Sequence, residues 1–199
     1  MRKKSPQKQP KNKSNDGFIR IISGQFRGRK LPVKDVQGLR PTTDRIKETV
    51  FNWLMQDTRD ARVLDCFAGS GGLGFEALSR FAHCATFLEM DNSATAQLKT
   101  NAQTLNLNNA EIFCTDSLRH LSQNPNEQQF DLVFVDPPFR QNLAQPCCDL
   151  LIKNSWLSEN ALIYVEVESE LYNLDLPSNW LLLKEKTAGQ VQCQLYQVQ

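Results

Sequence analysis

The chain has 199 residues, is 40% hydrophobic, and sets 23 Lys/Arg against 22 Asp/Glu for a formal charge of +1. That size suits one domain with an extension, that apolar content excludes disorder throughout, and no apolar run nears the roughly 20 residues of a membrane helix. The neutral total averages two unlike parts: residues 1–47 hold 14 Lys/Arg and three acids (net +11), and residues 48–199 hold 9 Lys/Arg and 19 acids (net −10). Such a split points to a polyanionic partner for the basic end.

Residues 1–16 (MRKKSPQKQPKNKSND) carry no aromatic or branched apolar side chain. They are expected to form a disordered basic tail, since they cannot bury enough surface to offset ordering entropy. They contain no apolar stretch of the kind a secretory signal needs. The six cysteines form no C-x-x-C pair and read as reduced, packed thiols of a cytoplasmic protein.

FIRIISGQFRGRKLPV alternates apolar and polar residues around Ser-Gly and Arg-Gly turn candidates, which predicts a β-hairpin bearing Arg20, Arg27, Arg29 and Lys30. LRPTTDRIKETVFNWLM predicts a helix. Thr42, Thr43 and Asp44 offer N-cap oxygens, and Ile46, Val50, Phe51 and Leu54 share one face. Residues 17–58 thus read as a basic extension, and 59–199 as a ligand-binding domain.

From residue 61 strands and helices alternate. RVLDCF (62–67) precedes the loop AGSGGLG and a helix at 74–81. ATFLEMD (85–91) precedes a helix at 93–106, capped by Asn92 or Ser93. AEIFCTD (110–116) leads to a short helix ending near 123. FDLVFVD (130–136) ends in Pro-Pro-Phe and precedes a helix at 143–154. ALIYVEV (161–167) follows, and WLLLKEKTAGQVQCQLYQV gives two final strands joined at Thr187–Gly189. The pattern predicts an α/β fold: a mostly parallel sheet with helices on both faces and an antiparallel C-terminal hairpin at one edge.

Gly69-Ser70-Gly71-Gly72-Leu73-Gly74 matches G-x-G-x-x-G between a strand and a helix, with Glu89 twenty residues beyond Gly69. Glycines permit a tight turn and close ligand approach, and a carboxylate at the next strand end can accept from ribose hydroxyls. The motif implies an adenosine-bearing cofactor. It does not itself choose between a dinucleotide and S-adenosylmethionine. Asp65, just before the loop, suits a cationic amino group and would repel a pyrophosphate. Asp116, ending the third of these strands, could meet the amino edge of adenine.

Asp136-Pro137-Pro138-Phe139 falls at the carboxyl end of a strand, where open α/β sheets bind ligands. Two prolines stiffen the segment and remove N–H donors. Acceptors at Asp136 can then hold the N–H bonds of a nucleobase amine and aim its lone pair, while Phe139 offers a stacking face. The residues alone do not separate the 2-amino group of guanine from adenine-N6 or cytosine-N4. A nicotinamide oxidoreductase is disfavoured by Asp65 and by the absence of a substrate domain. His83 and His120 are isolated, and no metal site is expected.

With these segments assembled, the chain resembles class I S-adenosylmethionine-dependent methyltransferases bearing D/N-P-P-Y/F. IRIISGQFRGRKLPV, RPTTDRIKETVFNWL, RVLDCFAGSGGLGFEALSR and VFVDPPF in this order narrow the resemblance to bacterial small-subunit ribosomal RNA guanine-N2 methyltransferases, over residues 18–199. The resemblance implies a Rossmann-like, seven-stranded fold and methylation of one guanine in small-subunit ribosomal RNA. It implies that Asp65, Phe67, Gly69, Gly71, Glu89 and Asp116 hold the cofactor, and that Asp136, Pro137, Pro138 and Phe139 hold the base. RNA contacts are expected at Arg20, Arg27, Arg29, Lys30, Arg40, Arg45 and Lys47. The substrate would be a ribosomal particle, the enzyme a cytoplasmic monomer without membrane attachment. Deletion of residues 1–47 is expected to remove RNA binding and spare cofactor binding.

Overall fold

The computed structural model describes residues 17–34, 43–170 and 174–199. The basic tail 1–16 and Arg40 lie outside the described residues. Strands β1 (Gly17–Arg20) and β2 (Lys30–Val33) pair antiparallel, as the alternating pattern predicts. Helix α1 (Asp44–Trp53) starts at Thr43, whose side chain accepts from the Ile46 N–H. Then come β3 (Arg62–Asp65), α2 (Gly72–Ser79), β4 (Cys84–Glu89), α3 (Asn92–Thr104), β5 (Ala110–Cys114), α4 (Ser117–Leu121), β6 (Phe130–Val135), α5 (Ala144–Lys153) and β7 (Leu157–Glu168). The long strands β8 (Trp180–Ala188) and β9 (Val191–Val198) close the chain.

The main sheet has the order β5-β4-β3-β6-β7-β9-β8. Strands β3 to β7 run parallel, and β9 and β8 add antiparallel at one edge. This is the seven-stranded, mostly parallel arrangement with an antiparallel edge that the sequence leads one to expect. The chain moves outward from β3 to β4 and β5, then returns to the other side of β3 as β6. The crevice at that reversal lies between the carboxyl ends of β3 and β6, where open α/β sheets take ligands.

Strand alternation sorts the core into two faces. Val63, Phe87, Phe134 and Tyr164 point to the side covered by α1, α2, α3 and the β1–β2 hairpin. Leu64, Leu88, Val133 and Val165 point to the side covered by α4 and α5, where Cys66, Cys147 and Cys148 also pack. All six cysteines are free thiols.

The hairpin is fastened to the end of α2. Glu76, fully buried at 0% exposure, accepts the Ile22 and Ser23 N–H groups and pairs with Arg80. The Ser79 carbonyl accepts from Gln25 N–H, and its hydroxyl accepts from Phe26 N–H. These bonds satisfy groups that a helix terminus otherwise leaves open. Gly24 (φ 78°) is required there, because a Cβ would fall 1.8 Å from the Ser79 carbonyl oxygen. Glu76→Ala strands two backbone donors and the Arg80 guanidinium, so it should cost about 3 kcal/mol and lower Tm by several degrees in thermal denaturation.

Several element ends differ from the pattern reading. α2 begins at Gly72 rather than residue 74. α3 is capped by Asp91, whose carboxylate accepts from Ser93 and Ala94 N–H, not by Asn92 or Ser93. Asp116 lies past β5 as the cap of α4, accepting from Arg119 N–H. β7 begins at Leu157, four residues early, because an irregularity opposite Phe130–Leu132 absorbs the polar Ser158–Asn160.

Candidate active site

One cavity of about 470 Å³ opens at the sheet reversal. Its first end lies against the β3–α2 loop (Phe67, Gly69, Ser70, Gly72) and the ends of β4 and β5 (Glu89, Asp91, Asp116). Its other end is formed by Asp136–Phe139, Gln141, Glu166 and Val191, with Thr43 and Ile46 of α1 along one wall.

The glycine loop is shaped by packing as much as by ligand approach. Gly71 (φ 78°) is the cap of α2, and a Cβ on it would lie 2.6 Å from Leu98 and Phe75. A Cβ on Gly74 would lie 2.2 Å from the Phe87 ring, so this glycine lets α2 sit directly on β4. Gly71, expected among the cofactor contacts, does not line the cavity; its neighbours Ser70 and Gly72 do.

Glu89 clamps this loop. One carboxylate oxygen accepts from Gly69 N–H at 2.8 Å, the other from Asp91 N–H at 2.7 Å. The carboxylate is thereby fixed at the cavity wall. Asp65, 2% exposed, accepts from Gly74 N–H at 3.1 Å. Burial pushes its carboxyl up to about 7, the Gly74 N–H pulls it back down, and the charge of Glu89 adds to the rise.

Six carboxylates line the cavity: Asp65, Glu89, Asp91, Asp116, Asp136 and Glu166. The same wall holds no Lys, Arg or His among the described residues. Such a cavity repels phosphate and favours a cation or a dense donor group. Asp136 follows the last residue of β6, Pro137 is buried, and Phe139 packs against the first core face.

The model of the family described as conserved hypothetical protein 95 matches residues 19–197. Ribosomal RNA small subunit methyltransferase D of Haemophilus influenzae is 55% identical over 183 residues, covering 91% of this chain and 94% of that one. The chain belongs to this methyltransferase family. The Escherichia coli K12 protein of the same name is 53% identical, over 94% of this chain and 93% of its own length. The solved structure of yhhF from Escherichia coli matches with a TM-score of 0.85 at 50% identity, covering 92% of this chain and 99% of that one.

The cavity brings together nine of the residues expected at this methyltransferase site: Asp65, Phe67, Gly69, Glu89, Asp116, Asp136, Pro137, Pro138 and Phe139. The basic set divides. Arg27, Arg29, Lys30 and Arg45 are exposed. Arg29 also donates to the Thr104 carbonyl. Arg20 is exposed but paired with Asp44 at 2.7 Å. Lys47 corrects the expectation of a phosphate contact. It is 1% exposed, its ammonium donates to the Arg20 carbonyl and it pairs with Asp44 at 3.2 Å. It supports the inner side of α1 and cannot reach RNA.

Pattern reading missed Asp91, Ser117 and Glu166 as cavity residues. Asp91 and Ser117 carry only the signal of helix-start residues after a strand. Glu166 has a clearer one: it is the sole charge within ALIYVEV, an otherwise apolar strand.

Proposed function

We propose that the chain transfers a methyl group from S-adenosylmethionine to the exocyclic 2-amino group of one guanine in small-subunit ribosomal RNA. The observation that carries this is one cavity, lined by carboxylates and by no basic side chain among the described residues, joining the glycine loop to Asp136–Phe139. A nicotinamide cofactor would place a pyrophosphate at the glycine loop, against Asp65. S-adenosylmethionine presents a sulfonium and an ammonium instead, so the donor set fits it.

When bound, that cofactor supplies a methyl group already activated as a sulfonium substituent. The chain's part is positioning. Asp65 would hold the ammonium group, Glu89 the ribose hydroxyls, and Asp116 would lie near adenine. Asp136 and the carbonyls beside it accept the amine N–H bonds. That favours a more tetrahedral nitrogen, aims its lone pair and stabilises the positive charge it gains. Phe139 stacks on the base. RNA phosphates meet Arg27, Arg29, Lys30 and Arg45. The substrate is read as a ribosomal particle and the enzyme as a cytoplasmic monomer; no helix among the described residues is long and apolar enough to cross a membrane.

Asp65 gives this reading a pH signature. Its folded-state carboxyl is raised to about 7, so below pH 7 it is increasingly protonated and neutral. A cationic ligand favours the ionised form. Affinity for S-adenosylhomocysteine should therefore be level above about pH 7 and fall by up to about tenfold per pH unit below it, with proton release on binding near pH 6. Calorimetric titration across pH 5.5–8 checks this, and Asp65→Asn should flatten the profile.

The reaction itself is tested with methyl-labelled S-adenosylmethionine and small-subunit RNA, followed by digestion to nucleosides. Label in N2-methylguanosine supports the reading. Label in N6-methyladenosine or N4-methylcytidine overturns it.

A further inference from the structure

The Asp-Pro-Pro-Phe end explains how an amine is held, but it does not explain why the amine should belong to guanine. The strand beside Asp136 does carry that information. Strands β6 and β7 run parallel, with Val135 opposite Val165. The next residues along each strand are Asp136 and Glu166. Phe134 and Tyr164 share the first core face, and strand alternation carries Asp136 and Glu166 onto that same side. Both carboxylates line the cavity.

Glu166 is unusual in its own right. It is 5% exposed, near the carboxyl end of β7 and just beyond the apolar run 161–165. The Tyr164 hydroxyl donates to one of its oxygens at 2.7 Å. Burial and the neighbouring charge of Glu166 hold the Tyr164 phenol well above its ordinary range. That hydroxyl therefore stays a donor and fixes the carboxylate's orientation. A carboxylate has two oxygens and about four acceptor positions, so it can take a hydroxyl and a ligand N–H together.

We propose that Glu166 is the residue that selects guanine, by accepting the N1–H beside the amine held at Asp136. This rests on the reading of the reaction given above. On its Watson–Crick edge guanine offers two adjacent donors, N1–H and the 2-amino group. Two neighbouring carboxylates match that pair. Adenine and cytosine place a ring-nitrogen lone pair next to their amine, and a carboxylate facing it is repelled. A buried acceptor left without its donor penalises the wrong base strongly. Glu166 thus separates three bases that Asp-Pro-Pro-Phe treats alike.

The test uses 2,6-diaminopurine, which keeps the 2-amino group but has a lone pair at N1. Small-subunit RNA carrying either guanine or 2,6-diaminopurine at the methylated position is offered to the wild-type enzyme and to Glu166→Gln. The wild type should prefer guanine by about 10- to 100-fold in kcat/KM. In Glu166→Gln the preference should collapse towards unity, because an amide can donate to the analogue's N1. Affinity for S-adenosylhomocysteine should not change, which shows that the variant is folded. A role confined to anchoring Tyr164 would not move base preference. Equal use of both bases by the wild type, or an undiminished preference in Glu166→Gln, overturns the proposal. The wild-type comparison decides even if the variant does not fold. If the wild type methylates guanine at N2 without this discrimination, only the role of Glu166 fails. If it methylates another base, the function proposed above fails first.

Discussion

Asp136→Ala is expected to leave cofactor affinity near wild type and to lower the methyl-transfer rate by about 10²–10³-fold. The aromatic-ring amine is a poor nucleophile, because its lone pair is delocalised. Rate comes from holding it with acceptors that gain strength as positive charge develops, and removing one such preorganised group typically costs about 10²–10³-fold. The site adds a second reason. Asp136 follows β6, two strands from β4 and Glu89 in the sheet order, so its loss is expected to spare the Glu89 side of the cofactor site. Asp136→Asn keeps a carbonyl acceptor and should retain more activity than Asp136→Ala. If Asn and Ala are equally inactive, removal of a proton by the carboxylate, and not orientation, is the main contribution. Single-turnover rates with parallel cofactor titration make the comparison. Near-wild-type transfer by Asp136→Ala would sink the assignment of this end.

The second large effect concerns RNA. Replacing Arg27, Arg29, Lys30 and Arg45 together by Ala should weaken small-subunit RNA binding by about 10²-fold at low salt. The slope of log affinity against log salt should fall by about 3, at roughly 0.7–0.9 for each phosphate no longer neutralised. All four side chains are exposed, so the folded state should tolerate the change. Arg45 falls between Asp44 and Ile46, and Ile46 lines the cavity, which ties this basic surface to the entrance. Filter binding over 50–300 mM salt reads both quantities. Unchanged affinity and slope would return these residues to the role of a solvated face.

The fold makes this set a better probe than a deletion of residues 1–47. Ile19, Ile21, Leu31 and Val33 of that segment are buried with Phe51, Phe75 and Phe134 in one core. Removing them would open that core and expose the Glu76 clamp. Loss of RNA binding would then follow from unfolding, and the deletion would not isolate RNA contacts.

The strands were legible because each is a short apolar run beside a turn signal, and the site followed from where those runs end. Asp65, Glu89 and Asp136 could be named in advance because sheet geometry gathers strand ends at one edge. Exact ends were harder. Asp91 and Asp116 each stand two residues past their strands, where the same carboxylate can serve as strand end or helix cap. The polar Ser158–Asn160 concealed the start of β7, since an irregular stretch interrupts the alternation that marks a strand. Lys47 misled for a different reason. Its charge belongs to the basic segment in composition, but helical spacing turns it inward, onto Asp44 and a backbone carbonyl. Glu76 and Glu166 share one signal, a single acid within an apolar run. Such a buried acid needs polar partners. Glu76 finds them in the hairpin and Arg80, and Glu166 accepts from the Tyr164 hydroxyl while lining the cavity.

The most direct measurement is mass mapping of small-subunit ribosomal RNA from cells lacking this protein, followed by restoration in vitro with purified enzyme and S-adenosylmethionine. The expected result is one guanine missing a single N2-methyl group, regained when enzyme is added to RNA or to subunits, and not regained with Asp136→Ala. An unchanged methylation map, or a missing methyl on adenine or cytosine, would contradict the account.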